Sequence, residues 1–321
     1  MSTDSMVFKR PSLSDIKQAQ QRVSRYTHVT PVLTSESINT ILGMNVYFKC
    51  ENFQKIGAFK MRGATNAILS LHPDERANGV ATHSSGNHAQ AVALAAKLSG
   101  IKAYIVMPKG SPKVKQKAVD EYGAEIIFCD NTLDARQQAL DKIVKETGAK
   151  FIPPYDDYAI IAGQATSAKE LIEVVPDLHA IICPVGGGGL LSGTALTASY
   201  LSPNLKVYAG EPKNVDDAFR SFKSGVLQPV ESTNTIADGL KTSLGERNFD
   251  IIKDLVTDIF TVSEKEIVEA MRLVWERMKI IIEPSSAVAV AALVQQKELF
   301  AGKDVGLILT GGNVDLENLP F

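Results

Sequence analysis

The sequence predicts an α/β fold, and three observations carry that expectation. Short apolar runs alternate with helix-patterned segments along the whole chain, glycines close many of those helical segments, and no internal repeat or low-complexity tract interrupts the alternation. Strands alternating with helices build parallel sheet covered on both faces. With 321 residues the chain exceeds what one small core needs, and no linker announces itself. Two lobes formed from non-contiguous chain are therefore expected.

Taken in order, Ser14 is placed to cap a helix running through residues 20–24. A strand is expected over 46–50, then the stretch Glu51–Gly63, in which Lys60 stands between Phe59 and a Met61-Arg62-Gly63 turn. Strands follow at 79–82, 103–107 and 125–128, separated by helices at 89–98 and 112–122 that Gly100 and Gly123 stop. A helix over 133–147 ends at Gly148, and the pattern continues with a helix at 165–175, a strand at 180–185, a helix at 190–200 and a strand at 206–209. Ser263 and Glu266 form a capping box that opens a helix reaching Lys279, and a buried strand lies at 305–309.

Composition narrows the function classes. The chain carries 34 basic and 36 acidic residues for a net charge of -2, with no long run of either sign, so neither nucleic acid nor an anionic membrane is indicated as partner. Cys50, Cys129 and Cys183 are scattered, odd in number and set in apolar strand-like contexts, which suits buried thiols in a reducing compartment. The N-terminus, residues 1–10, lacks a basic-then-apolar signal organisation, and the longest apolar run, 287–294, is far too short to span a bilayer. A cytoplasmic enzyme acting on a small molecule, with no membrane and no nucleic acid, is the expectation.

Four segments bear on chemistry. Lys60 supplies an amine of the kind that condenses with an aldehyde, the attachment used by pyridoxal phosphate, although a single lysine is ordinarily just a solvated cation. Ser84-Ser85-Gly86-Asn87-His88 lies between a strand and a helix, where the first helical N–H groups can bind a carboxylate; an ordinary N-cap reads the same way. Gly186–Gly189 stand between a strand and a helix, where backbone amides can close around a phosphate. A dinucleotide fold is the rival, with Glu211 as the ribose-binding acid, but Leu191 or Ser192 occupies the third glycine position of its fingerprint. Thr310, in Thr310-Gly311-Gly312-Asn313, ends the last strand, where α/β sheets bind ligands and where strands also simply turn.

In this order, with Thr30-Pro31-Val32-Leu33, Ile161-Ala162-Gly163-Gln164, Thr235–Gly239 and Ile282-Glu283-Pro284-Ser285, these segments resemble the serine racemase and serine/threonine dehydratase family of fold type II (tryptophan synthase β-family) pyridoxal-phosphate enzymes. The resemblance implies two lobes, each a twisted, mostly parallel sheet flanked by helices. Residues 1–80 and 157–321 would form a large cofactor-binding domain, and residues 81–156 a small mobile substrate-binding domain.

By the same resemblance Lys60 carries the cofactor, Phe59 and Gly239 pack on opposite faces of its ring, Asn87 meets its phenolic oxygen, and Gly186, Gly187, Gly188 and Gly189 hold its phosphate. Glu283 lines the cofactor site and Thr310 meets the pyridine nitrogen. A neutral hydroxyl there makes a weaker electron sink than an aspartate would, which disfavours transamination and leaves elimination and reprotonation open. Ser84, Ser85, Asn87, His88 and Arg136 would bind the amino-acid substrate. Lys60 and Ser85 would exchange protons on opposite faces of Cα, as racemisation requires.

The implied activity is interconversion of L- and D-serine with accompanying elimination of serine and threonine to 2-oxo acid and ammonia. The alternative is a dehydratase for threonine, serine or threo-3-hydroxyaspartate without significant racemisation. Glu211, the Val215 carbonyl and Asp217 match a divalent-cation site for magnesium, manganese or calcium, which could otherwise be an exposed acidic turn. Lys55, Tyr122 and Asn313 match positions that hold ATP as an effector between subunits of a homodimer. Three departures from the family pattern stand out. Ala165 replaces a glycine, the loop Pro154–Asp157 lacks the serine cluster of aspartate racemases, and no regulatory domain is expected after Phe321.

Overall fold

The computed structural model describes residues 9–111 and 113–321; most of the N-terminal reading (residues 1–8) and the expected helix start at residue 112 lie outside them. The chain opens with α1 (Leu13–Val23), β1 (Val32–Leu33), α2 (Glu36–Leu42) and β2 (Asn45–Cys50), followed by α3 (Lys60–Ser70) and α4 (Pro73–Ala77). The middle contains β3 (Val80–His83), α5 (Asn87–Leu98), β4 (Ala103–Pro108), α6 (Lys113–Glu121), β5 (Glu125–Cys129), α7 (Leu133–Thr147) and β6 (Lys150–Phe151). Next come α8 (Tyr158–Val174), β7 (Ala180–Pro184), α9 (Gly189–Leu201), β8 (Lys206–Pro212) and α10 (Asp217–Ser224). The chain closes with α11 (Glu246–Leu255), β9 (Asp258–Val262), α12 (Glu264–Met278), α13 (Pro284–Gln295), α14 (Lys297–Phe300) and β10 (Asp304–Leu309).

Two sheets result, as expected of an α/β chain. The larger has the order β1-β2-β10-β7-β8-β9, and only the β1–β2 pair is antiparallel. The smaller, β5-β4-β3-β6, is parallel throughout. Buried strands need apolar side chains on both faces, and Ile181, Ile182, Leu307, Ile308, Ile105 and Val106 supply them. The strand order turns back in each sheet: β10 inserts between β2 and β7, and β6 returns to the far side of β3. Ligands of such sheets collect outside the carboxyl ends of strands at these reversals. Each segment singled out from the sequence for its chemistry leaves one of those ends.

Several local expectations need correction. Ser12, not Ser14, caps α1, because its hydroxyl and the Asp15 carboxylate satisfy each other's backbone N–H groups. Met61-Arg62-Gly63 is no turn but the first turn of α3. Helix α8 begins at Tyr158, earlier than expected, because the Asp157 carboxylate accepts the N–H groups of Ala159 and Ile160. The capping box at Ser263 and the bounds of α7 are as expected. Ala165, where a glycine was expected, is fully buried; Gly193 of α9 packs on its backbone, and a Cβ on Gly193 would lie 2.7 Å from the Ala165 nitrogen.

Candidate active site

Lys60 is set in place by charges that water does not reach. Arg62, two residues on, is fully buried and bonds Glu51 from the end of β2 (2.7 and 2.9 Å) and Glu170 of α8 (2.7 Å to each oxygen). Lys49 completes the cluster through Glu170 at 2.6 Å, and Thr30 donates to Glu51 at 2.6 Å. Burial alone would lower the Arg62 guanidinium; Glu51 and Glu170 instead leave it above its ordinary value. Burial likewise works against the Glu51 carboxylate, and Arg62 holds it below the usual range. Two cations and two anions are thus matched, which is the condition under which buried charge is tolerated. The cluster ties the first turn of α3 to β2 and α8.

The Lys60 amine donates to the Pro154 carbonyl at 2.7 Å and lies 5.3 Å from the Phe59 ring centroid. Burial lowers its pKa from 10.5 to about 8, with Glu283 pulling the other way. Glu283 in turn accepts from Asn87 Nδ2 (2.9 and 3.1 Å) and from the Asn313 N–H (3.2 Å). Asn313 Nδ2 reaches Asn87 Oδ1 (2.9 Å) and the Ile56 carbonyl (2.7 Å). The Phe59 N–H bonds the Thr310 carbonyl at 3.0 Å, while the Thr310 N–H is taken by Ser286 and the Gly239 N–H by Ser285, each at 2.9 Å. Lys60, Phe59, Asn87, Gly239, Glu283 and Thr310 are therefore brought together by these bonds at the strand ends.

The substrate residues divide. Ser84 and Ser85 are half-buried in the turn before α5, and Ser85 has no hydrogen-bond partner among the described residues. Asn87 and His88 open the twelve-residue α5, whose first N–H groups are free for an anion. The His88 ring is otherwise engaged: Nε2 lies 3.0 Å from the Ile152 carbonyl, and burial drives its pKa down to about 3. The carbonyl partner places the proton on Nε2, burial disfavours a second one on Nδ1, and His88 offers a carboxylate its backbone N–H. Arg136 is held by Asn131 at 2.8 Å, and no described contact joins it to Ser84, Ser85 or Asn87.

Gly186–Gly189 run from the end of β7 into α9, and all four are buried. Gly188 sits at φ 95°, and a Cβ on Gly187 would lie 2.2 Å from the Tyr155 ring. No acceptor among the described residues takes the N–H of Gly186, Gly187, Gly188 or Gly189. Buried orphan donors are rare in folded proteins. Their grouping at a helix N-terminus fits a phosphate, and the residues around Lys60 fit the ring and aldehyde of a pyridoxal group.

Glu211, Val215 and Asp217 are buried to 1%, 2% and 1% exposure, so the exposed acidic turn is ruled out. Glu211 accepts the N–H groups of Ala218 (2.9 Å) and Phe219 (2.7 Å), and Asp217 accepts that of Leu244 (2.8 Å). Burial raises the pKa of both carboxyls, Glu211 well above its usual value. No group of three or more His, Cys, Asp or Glu side chains is arranged for a metal among the described residues, and this set has only two carboxylates. Neither has a cationic hydrogen-bond partner there. Of the nucleotide positions, Asn313 bonds Asn87 and Glu283, Tyr122 packs on the core cluster containing Ile56, and Lys55 lies beside Ile56 in the chain.

Not singled out from the sequence as site residues are Pro154, whose carbonyl holds the lysine, and Asn248, whose amide bonds the Gly187 carbonyl, Tyr155 and Asp156. Asp157 could have been read as a cap; Asn248 could not, since its partners lie 61 and 93 residues away.

Comparison with known proteins shows the family. The family described as pyridoxal-phosphate dependent enzyme matches residues 23–311. Serine racemase from Dictyostelium discoideum is 51% identical over 312 residues, 96% of each chain. The beta-hydroxyaspartate dehydratase of Paracoccus denitrificans (strain Pd 1222) is 47% identical over 311 residues, 97% of this chain and 99% of that one. The structure of maize serine racemase superposes with a TM-score of 0.94 at 43% identity, covering 96% of this chain and 95% of that one.

Proposed function

Because the chain belongs to the pyridoxal-phosphate dependent enzyme family, we propose that it interconverts L- and D-serine and, in the same cleft, eliminates water from serine and threonine to give 2-oxo acid and ammonia. The observation that carries this reading is the buried Lys60 amine, held by the Pro154 carbonyl at 2.7 Å, in a chain that also has a serine, Ser85, in the turn before α5.

Bound pyridoxal phosphate supplies an electron sink that acidifies the Cα proton of an attached amino acid. This chain's residues do the rest. The N–H groups opening α5 hold the substrate carboxylate, and Ser84 and Asn87 flank it. Lys60, near neutrality in its proton affinity, takes and returns the Cα proton on one face. Ser85 does so on the other, and return of a proton to the face opposite its removal inverts the centre. Departure of the β-hydroxyl as water instead leaves aminoacrylate, whose imine form another water hydrolyses to pyruvate and ammonia. Thr310, uncharged, leaves the ring nitrogen unprotonated and so limits side reactions.

The second reading, a dehydratase for 3-hydroxyaspartate or threonine without racemisation, is supported by the 47% identity to the Paracoccus enzyme. Chiral analysis of the products from L-serine with pyridoxal phosphate and Mg²⁺, run beside a pyruvate assay, separates the two. D-serine with pyruvate is expected; pyruvate alone would replace the first reading by the second.

The same proposal takes residues 1–80 and 157–321 as the cofactor-binding domain and 81–156 as the small mobile one. Supporting this, β3, β4, β5 and β6 make a sheet of their own. It places Mg²⁺, Mn²⁺ or Ca²⁺ on Glu211, Asp217 and the Val215 carbonyl, where buried carboxylates need a counter-charge. It assigns Lys55, Tyr122 and Asn313 to an ATP effector in a homodimer, and a cytoplasmic setting in keeping with three buried unpaired cysteines. No helix among the described residues is long and apolar enough to cross a membrane.

A further inference from the structure

The glycine turn is gripped from behind. The Gly187 carbonyl accepts two hydrogen bonds, from the Gly245 N–H at 3.1 Å and from Asn248 Nδ2 at 2.9 Å. Asn248, the third residue of α11, is fully buried, and the same amide reaches the Tyr155 carbonyl and Asp156 Oδ1, each at 3.3 Å. Asp156 fixes the amide in turn. Its Oδ1 accepts the N–H groups of Arg247 (3.0 Å) and Asn248 (3.4 Å), the side-chain cap that Gly245 cannot give α11. On the other side a Cβ at Gly188 would strike the Asn248 Cβ at 2.7 Å.

A planar trans peptide points its N–H opposite to its carbonyl. Holding the Gly187 carbonyl toward α11 therefore turns the Gly188 N–H away from α11, into the space where no described residue accepts it. Glycine on both sides of that bond lets the plane flip at little steric cost, and a flipped plane would face a carbonyl oxygen toward any anion there. We propose that Asn248 is a positioning residue for the phosphate: its amide locks the Gly187–Gly188 peptide with the N–H outward and so sets how tightly the turn takes a phosphate monoester.

This rests on the reading of Gly186–Gly189 as the phosphate cradle of a pyridoxal-phosphate enzyme. The test uses two probes, pyridoxal phosphate and pyridoxal, titrated into the full chain freed of cofactor. Asn248→Ala should weaken pyridoxal phosphate about tenfold to a hundredfold, the range for an unmade buried hydrogen bond. Pyridoxal affinity should be unchanged, and inorganic phosphate should compete with pyridoxal phosphate in the original chain but need a markedly higher concentration to do so in the variant. Equal weakening of both probes would reduce Asn248 to a structural role, and no weakening of either would leave the lock idle; each overturns the inference. If Asn248→Ala does not fold, Asn248→Ser, with one shorter donor, is read by the same ratio. An original chain that binds neither probe would refute the cofactor reading itself, an outcome distinct from failure of the lock.

Discussion

The desolvated amine of Lys60 makes a prediction that pH can test. An unperturbed lysine, pKa 10.5, is about one part in three thousand neutral at pH 7; at about 8, Lys60 is neutral in about one molecule in ten. Only the neutral amine attacks an aldehyde, so Lys60 should capture pyridoxal phosphate about three hundred times faster than an exposed lysine of equal intrinsic reactivity. The sign follows from the cause. Burial disfavours the ammonium, so the reactive fraction rises tenfold per pH unit below about 8 and levels above it. The assay mixes cofactor-free protein with excess pyridoxal phosphate between pH 6 and 10, follows the visible absorbance band, and locates the adduct after borohydride reduction. Glu283→Gln removes a carboxylate that favours the ammonium, so the break should move to lower pH. A rate that climbs without a break to pH 10, or an adduct spread over other lysines, would refute the argument.

Other expectations follow from the same contacts. Ser85→Ala should abolish D-serine formation while pyruvate formation from L-serine persists within about threefold; chiral chromatography checks it. Arg62→Leu strands the Glu51 carboxylate in the interior and leaves Glu170 to Lys49 alone, and should cost about 3–5 kcal/mol, read as a fall in denaturation midpoint. The Glu211 pKa is raised on folding, so without a cation the folded state should lose stability as pH rises above the usual carboxylate range and towards that raised value. Mg²⁺ should recover that loss and a chelator should reinstate it, so the Mg²⁺-dependent rise in melting temperature should be larger at pH 8 than at pH 5. Gly187→Ala puts a methyl 2.2 Å from the Tyr155 ring and should weaken pyridoxal phosphate binding in titration.

What could be read in the sequence was what is local. Glycine stops, the Ser263–Glu266 capping box and apolar runs gave most strands and the bounds of α7, because each depends on neighbours within a turn or two. The resemblance singles out Lys60, Asn87, Glu283 and Thr310, and the structure links the segments that carry them through bonds across as many as 257 residues of chain. Helix α3 was misread where Met61-Arg62-Gly63 passed for a turn; Arg62 is helical because Glu51 and Glu170, far apart in sequence, meet it there. Asn248 and Asp156 gave no local sign, since each acts on backbone from a distant segment. The His88 ring also escaped: only the fold shows that Ile152 occupies its Nε2.

Exchange of protons by Lys60 and Ser85 on opposite faces of one substrate carbon leaves an isotopic trace. L-serine is incubated in D₂O with the cofactor-loaded enzyme, and recovered serine is examined for configuration and Cα deuterium. α-Deuterated D-serine is expected alongside α-deuterated L-serine and pyruvate. Pyruvate with deuterated L-serine and no D-serine would show a single working face and contradict exchange on both.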